Sequence, residues 1–184
     1  RIHWTVPLII YVPAILIFLG LSIFSYEMAA LSIVLLYIGG IFTWTFVEYM
    51  LHRFAFHYQP KTEWGKKFHF MFHGVHHDYP NDSKRLVMVP SVSIPLALLF
   101  YGLFWLIMGT ETTAPFFAGF VSGYLAYDMI HYATHHAPAK NKLFLKLKHH
   151  HMKHHFKQPD LGYGVSQPLW DYVFGTNYPK KGDK

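Results

Sequence analysis

Cysteine is absent from all 184 residues. That excludes disulfide frameworks, thiolate zinc sites, iron–sulfur clusters and cysteine nucleophiles. It leaves the redox compartment open, because a chain without thiols suits either side of a membrane. Charge is scarce as well: 14% of residues are charged, against roughly 25% in an average soluble domain. The first apolar stretch lacks a small-residue cleavage pattern and runs directly into more of the same, so no cleavable signal peptide is expected. There is no initiating methionine, and N-terminal residues are expected to be missing. The length leaves no room for a second catalytic module, so residues 1–184 are expected to form a single domain.

What the chain has in excess is apolar surface and histidine. Four uncharged or nearly uncharged runs cover residues 6–24, 29–47, 92–108 and 114–130, each close to the roughly 20 residues that cross a hydrocarbon core. Four such runs cannot all be covered by the residues that remain. The expected fold is therefore all-α, an integral membrane four-helix transmembrane bundle. Short turns at Ser25–Met28 and Gly109–Thr113 join the runs in pairs, and neither contains Lys or Arg. The 16 basic residues are Arg1, six between Arg53 and Arg85, and nine between Lys140 and Lys184. An even number of spans separates these regions, which puts them on one face, cytosolic by the positive-inside rule. The +6 charge then faces anionic lipid headgroups, a better account than nucleic acid. Residues 48–91 and 131–184 make up the expected cytosolic helical cap, with Pro90 and Pro95 marking re-entry to the membrane.

Fifteen histidines demand an explanation, and their spacing supplies one. His73, His76 and His77 repeat the H-x-x-H-H pattern of His151, His154 and His155. His131 and His135 lie one helical turn apart. Residues at i, i+3 and i+4 share a helix face, so each cluster is expected to project together. His52 and His57, five apart, fit a helix continuing the second span with His57 at its frayed end. Ten imidazoles are too many for one ion. Two ions would receive about five ligands each, leaving an open position on both, the mark of a catalytic site.

Around these ten stand weaker candidates. His69 lies four before His73 and can join its face; His136 suits a supporting role beside the metal. His149 and His150 read as a solvated basic face with Lys146, Lys148 and Lys153, and His3 as an interfacial side chain. Glu48, Asp78 and Asp128 flank the clusters, where they can orient rings and offset cluster charge. Tyr163, Trp170, Tyr172 and Phe174 are candidates for a substrate-facing lid, or for interfacial packing. Imidazole suits zinc, copper, iron and nickel. Spans that direct access toward lipid favour attack on C–H bonds, which takes a redox metal and dioxygen.

The motifs Glu48–His57 (EYMLHRFAFH), His73–His77 (HGVHH), Tyr127–His136 (YDMIHYATHH) and His151–His155 (HMKHH) resemble those of membrane fatty acid hydroxylases, within the fatty acid hydroxylase/sterol desaturase superfamily. The tail Leu161–Thr176 (LGYGVSQPLWDYVFGT) and Arg85–Pro90 (RLVMVP) are most similar to the fatty acid 2-hydroxylase branch. The resemblance implies a monooxygenase with two Fe ions that inserts one atom of O2 at carbon 2 of a long acyl chain, free or ceramide-linked. By motif its ligands are His52, His57, His73, His76, His77, His131, His135, His151, His154 and His155. Zinc is expected to occupy the site on purification. An external electron donor, a cytochrome b5-type or other carrier with its reductase, is implied too. Members from eukaryotes often carry a fused cytochrome b5 domain and this sequence has none, so either that domain was removed or the donor is separate. The implied location is the endoplasmic reticulum or a bacterial cytoplasmic membrane. Rival readings are a sterol-methyl oxidase or carotenoid hydroxylase, a non-enzymatic metal-binding protein and a zinc hydrolase.

Overall fold

Among the residues described by the computed structural model, 2–179, every regular element is helical. The side chains of Phe68 and Phe72 are not described, and Arg1, Lys180, Lys181 and Lys184 of the basic residues counted above lie outside the described residues. The helices are α1 (Val6–Gly20), α2 (Ala30–Met50), α3 (Glu63–His69), α4 (Val75–Asp78), α5 (Pro90–Met108), α6 (Thr110–His136), α7 (Lys142–Phe156) and α8 (Leu169–Val173). Three of them are prolonged by π-helical turns, at Leu21–Ser25, Leu51–Phe56 and Phe70–Gly74. The chain divides into two compact units, one of residues 1–45 and 87–129, the other of residues 46–86 and 130–184.

In the first unit large apolar residues cover the exterior as well as the core. Ile9, Leu16, Leu31, Leu35, Leu98, Leu106 and Ile107 are exposed, while Ser22, Ser93 and Thr113 are buried. Polar pairs join the helices: Tyr11 donates to Ser93 Oγ at 2.8 Å and Tyr37 to Ser122 Oγ at 2.7 Å. Such an exterior suits hydrocarbon, with hydrogen bonds and close packing inside. Among the described residues, three segments are long and apolar enough to cross a membrane: Val6–Ser25, Ala30–Phe56 and Pro90–Met108. The expected fourth span, 114–130, lies within α6, which is one 27-residue helix but is not apolar enough to join that set. Ala114, Phe117, Ala118, Phe120, Val121, Tyr124 and Leu125 of α6 are all buried, so this helix turns much of its apolar surface to its neighbours.

Close backbone approach fixes that packing. A Cβ on Gly40 would sit 2.0 Å from the Phe116 carbonyl oxygen, and one on Gly119 would sit 1.9 Å from that of Tyr37. Gly119 and Gly123 form a G-x-x-x-G pair on α6, the spacing that lets helix backbones touch. Trp44 then packs edge-on against Phe120 and Tyr124, with centroids 5.2 Å away in both cases. The turn expected at Gly109–Thr113 is tighter than the sequence implied: Gly109 alone turns the chain, at φ 78°, and Thr110 already starts α6.

The second unit is built on the lower part of α2, α3–α4, the end of α6, α7 and the tail. α2 runs through its π turn to Phe56, and the His57 N–H donates to the His52 carbonyl at 3.2 Å, an i→i+5 bond. Winding of this kind brings residues five apart back together, and the rings of His52 and His57 lie 5.0 Å apart. His57 is thus positioned by π winding, and not by fraying as expected. α7 starts on Asn141, whose side chain accepts from Phe144 N–H at 2.7 Å, the usual cap for orphan amides.

Candidate metal centre

Ten imidazoles converge in the second unit in two groups of five. One comprises His52, His57, His73, His77 and His154; the other comprises His76, His131, His135, His151 and His155. In each group the potential ligand atoms all lie within 4.8 Å of one another. The division differs from the expectation that each H-x-x-H-H cluster projects together. The i,i+4 pairs stay together, His73 with His77 and His151 with His155, while the i+3 residue of each crosses to the other group. His76 joins the α7 pair and His154 joins the α4 pair. The patch of α6 and α7 is consequently not one half of the arrangement, since His154 belongs to the other group.

The nitrogen spacings are informative. In the first group Nε2 of His73 lies 3.2 Å from that of His57 and 2.8 Å from that of His77, and His154 Nε2 is 2.9 Å from His57. In the second, His76 Nε2 is 2.9 Å from His155 and 3.0 Å from His131, and His151 Nε2 is 2.9 Å from His135 and 3.0 Å from His155. Two nitrogens at right angles on one ion, each at about 2.1 Å, are about 3.0 Å apart, whereas tetrahedral ligands are about 3.4 Å apart. The edges match right-angled coordination of more than four positions. Hydrogen bonding among the rings does not explain the groups, because a neutral ring nitrogen has one hydrogen or one lone pair, whereas Nε2 of His57, His73, His76, His151 and His155 each meets two others.

Two tautomers are set by the tail. His52 Nδ1 donates to the Tyr163 carbonyl at 2.5 Å and His154 Nδ1 to that of Leu161 at 2.9 Å. With the proton held on Nδ1, the lone pair is on Nε2 and faces the group. His52 Nε2 is buried with no hydrogen-bond partner, which leaves a costly orphan unless a cation takes its lone pair. The donor set therefore fits a metal ion in each group, and all-imidazole donation suits iron, zinc, copper or nickel. Electrostatics prepare the rings for it. Burial, then the neighbouring imidazoles of His154 and His77, pulls His57 down to about 3. His77 falls to about 4 by burial and then His154, and His135 to about 3 by burial and then His136 and Lys148. Burial likewise holds His73, His76 and His151 well below the ordinary imidazole value. All are neutral donors at pH 7.

The tail loop that anchors the rings is itself gripped by two buried carboxylates. Asp171 accepts from the amides of Tyr163 and Gly164, both at 2.8 Å, and from Thr176 Oγ1 at 2.8 Å. Glu48 accepts from the amides of Val165 and Ser166 at 2.9 and 2.8 Å and from Ser166 Oγ at 2.5 Å. Glu48 thus supports His52 through the loop, and not by the direct contact that its place one turn earlier suggested. Asp171 was missed in the sequence, where one Asp in a five-residue helix between Trp170 and Tyr172 carries no signal. His150 also differs from expectation: it is largely buried and lies 3.1 Å from Asp171 Oδ2, while His149 is exposed.

The remaining candidates are dispersed. His69 Nε2 meets the Phe56 carbonyl, and His136 packs on Tyr132 at 4.9 Å; neither is in a group. His3 pairs with Thr5. Asp78 is exposed. Asp128 accepts from Tyr124 at 2.8 Å and from the Met88 amide, tying α6 to the chain before α5. Of the four aromatic residues, Tyr163 is buried against His52, His57 and His154, at 5.8, 5.4 and 5.7 Å. Trp170 packs on Phe46 at 5.0 Å and Phe174 stacks on Tyr49 at 5.3 Å, while Tyr172 is exposed.

The model of the fatty acid hydroxylase family matches residues 37–176. A dihydroceramide fatty acyl 2-hydroxylase of Arabidopsis thaliana is 39% identical over 175 residues, 95% of this chain and 73% of that relative. A ceramide very long chain fatty acid hydroxylase of Saccharomyces cerevisiae is 37% identical over 94% of this chain and 45% of its own length. The fatty acid 2-hydroxylase of Homo sapiens is 40% identical over 79% of this chain and 40% of its own length. A solved structure described as full-length scs7p, with only the hydroxylase domain visible, matches with a TM-score of 0.92 at 35% identity, covering 97% of this chain and 68% of that one. With a match that spans most of the chain and takes in all ten clustered histidines, the protein belongs to the fatty acid hydroxylase family.

Proposed function

We propose that this protein is an O2-dependent di-iron monooxygenase that hydroxylates carbon 2 of a long-chain fatty acyl group, free or ceramide-linked. The observation that carries the reading is the pair of five-imidazole groups with right-angled nitrogen edges, joined to the 2-hydroxylase names of relatives at 39–40% identity. The reaction balances as R–H, O2, two electrons and two protons giving R–OH and water. His52, His57, His73, His77 and His154 on one side, and His76, His131, His135, His151 and His155 on the other, would hold the two irons, which would supply the one-electron chemistry that dioxygen needs.

The protein's part is binding and placement. Tyr163 and Leu161 carbonyls hold His52 and His154 in the donor tautomer; Asp171 and Glu48 grip the 163–166 amides beside the first, and Tyr178 donates to the second. The acyl tail lies along the apolar spans, and its headgroup meets Lys and Arg side chains at the rim. α6 serves as the fourth helix of the membrane bundle, residues 48–91 and 131–184 form the cytosolic cap, and residues 1–184 act as one hydroxylase domain. Electrons come from a cytochrome b5-type or similar carrier and its reductase. The membrane is the endoplasmic reticulum in a eukaryote or the cytoplasmic membrane in a bacterium.

Product analysis tests this. Membranes containing the chain, supplied with reductant and 18O2, are expected to yield 2-hydroxy acyl chains carrying one labelled oxygen, and protein purified anaerobically is expected to hold two irons. Label-free product, or hydroxylation at another carbon only, overturns the assignment.

A further inference from the structure

The outer face of α7 carries a stripe of basic residues that the metal site does not use. Lys142, Lys146, His149 and Lys153 follow one another at spacings of four, three and four, and all are exposed. On a helix these spacings make one continuous stripe. α7 contains no acidic residue, and among the described residues no ion pair involves its lysines. Lys153 does lie 5.2 Å from the Tyr178 ring, which leaves its charge unneutralised. Like charges at i,i+4, as at Lys142 and Lys146, weaken a helix, so the stripe costs stability unless it meets a negative surface. Leu143 and Phe156, 72% and 65% exposed, flank it with apolar contact area.

The same helix presents His151, His154 and His155 on its opposite side, where His151 and His154 are fully buried and enter both groups. A molecule docked on the stripe stands one helix thickness from three ligand rings, roughly 10 Å. The reaction above consumes two electrons that the acyl substrate does not supply. We infer that the Lys142–Lys146–Lys153 face of α7 is the docking surface for an acidic one-electron carrier protein that reduces the metal pair. The inference rests on the hydroxylase reading for the need of electrons, and on the stripe alone for the place. Each docking delivers one electron: the carrier is oxidised and one metal ion is reduced, and two dockings complete the turnover. Complementary charge at such a rim sets the encounter rate and its salt dependence.

The test uses the full chain in detergent, loaded with iron, and a soluble net-negative haem carrier of the cytochrome b5 type. Lys142→Glu, Lys146→Glu and Lys153→Glu are combined, with the corresponding Gln variants as a milder series should the reversed chain fail to accumulate. Expected is about a tenfold weaker Kd for the oxidised carrier and a flattened salt dependence, with turnover on a small chemical reductant unchanged. Equal carrier affinity in wild type and variants overturns the inference. So does loss of binding to phosphatidylserine vesicles with carrier affinity retained, which makes the stripe a membrane contact. If neither reductant yields product while stripe-dependent carrier binding persists, the hydroxylase reading fails and the docking surface stands.

Discussion

Asp171 and Glu48 divide four consecutive backbone amides between them. Asp171 takes those of Tyr163 and Gly164, and Glu48 takes those of Val165 and Ser166. The carbonyl of Tyr163, in the middle of that grip, fixes the ring of His52. Replacing Asp171 by Asn keeps the shape and removes the charge, turning one acceptor oxygen into a donor against amide donors in a fully buried place. The expected cost is about 2–4 kcal/mol of stability. Metal affinity is expected to fall about tenfold or more, as for other outer partners of ligand histidines. Unfolding measurements and the metal-to-protein ratio check both. An Asp171→Asn protein that melts like wild type and keeps its metal contradicts this role for the loop.

The histidine groups make the metal-free protein acid-sensitive above the range of its carboxylates. In the unfolded chain an imidazole takes up a proton near 6.5. In the folded chain His57 and His135 wait until about 3 and His77 until about 4. Between those limits the unfolded state binds more protons than the folded one, so stability rises with pH and falls as the pH drops. The metal-free protein is expected to lose melting temperature steadily from about pH 6.5 to pH 4 and to be nearly flat from 7 to 8. Constant melting temperature between pH 7 and 5 speaks against the depressed values.

The contact between α2 and α6 has no room for a side chain at Gly40 or Gly119. An exposed helical Gly→Ala change ordinarily stabilises by about 1 kcal/mol. Here the sign is expected to reverse: Gly119→Ala forces a methyl into the Tyr37 carbonyl, and folded protein recovered in detergent should drop sharply. Gly102→Ala, with nothing within 4 Å of the added carbon, is the control and should equal or exceed wild type. Equal recovery of both variants rules out close backbone approach as the basis of the pairing.

How legible this was follows from the kind of signal each feature leaves. Eight histidines stand at α-helical spacings and His52 and His57 five apart, and the structure gathers these ten into two groups. Which ring joins which group did not follow from spacing, because it depends on where α4 and α7 face each other across the two groups. The π turn at Leu51–Phe56 was invisible too, because the sequence LHRFAF carries no marker for it. The run 114–130 reads as a span from its length and lack of charge; which of its residues are buried against the other helices does not follow from that run. Asp171 left no trace because its function comes from the loop folding back onto it.

The crossing of the i+3 histidines gives a test that distinguishes two double substitutions on one helix. His151→Ala with His155→Ala removes an i,i+4 pair, and both rings belong to the second group. His151→Ala with His154→Ala removes an i,i+3 pair, and takes one ring from each group. If each group holds one ion, the first pair strips one site to three rings and leaves the other with all five. The second leaves four rings on both sides. After dialysis against a chelator of graded strength, the 151/155 variant is expected to retain about one ion per chain in a single tight class, with the other lost at the weakest chelator. The 151/154 variant should lose both ions over one common, intermediate range, since coordination by four imidazoles is still adequate for a divalent metal. Both variants delete two imidazoles from the same helix, so a general loss of packing or helix stability affects them alike. Only the assignment of His154 to the group of His52, His57, His73 and His77 separates them, and identical release profiles for the two variants disprove it.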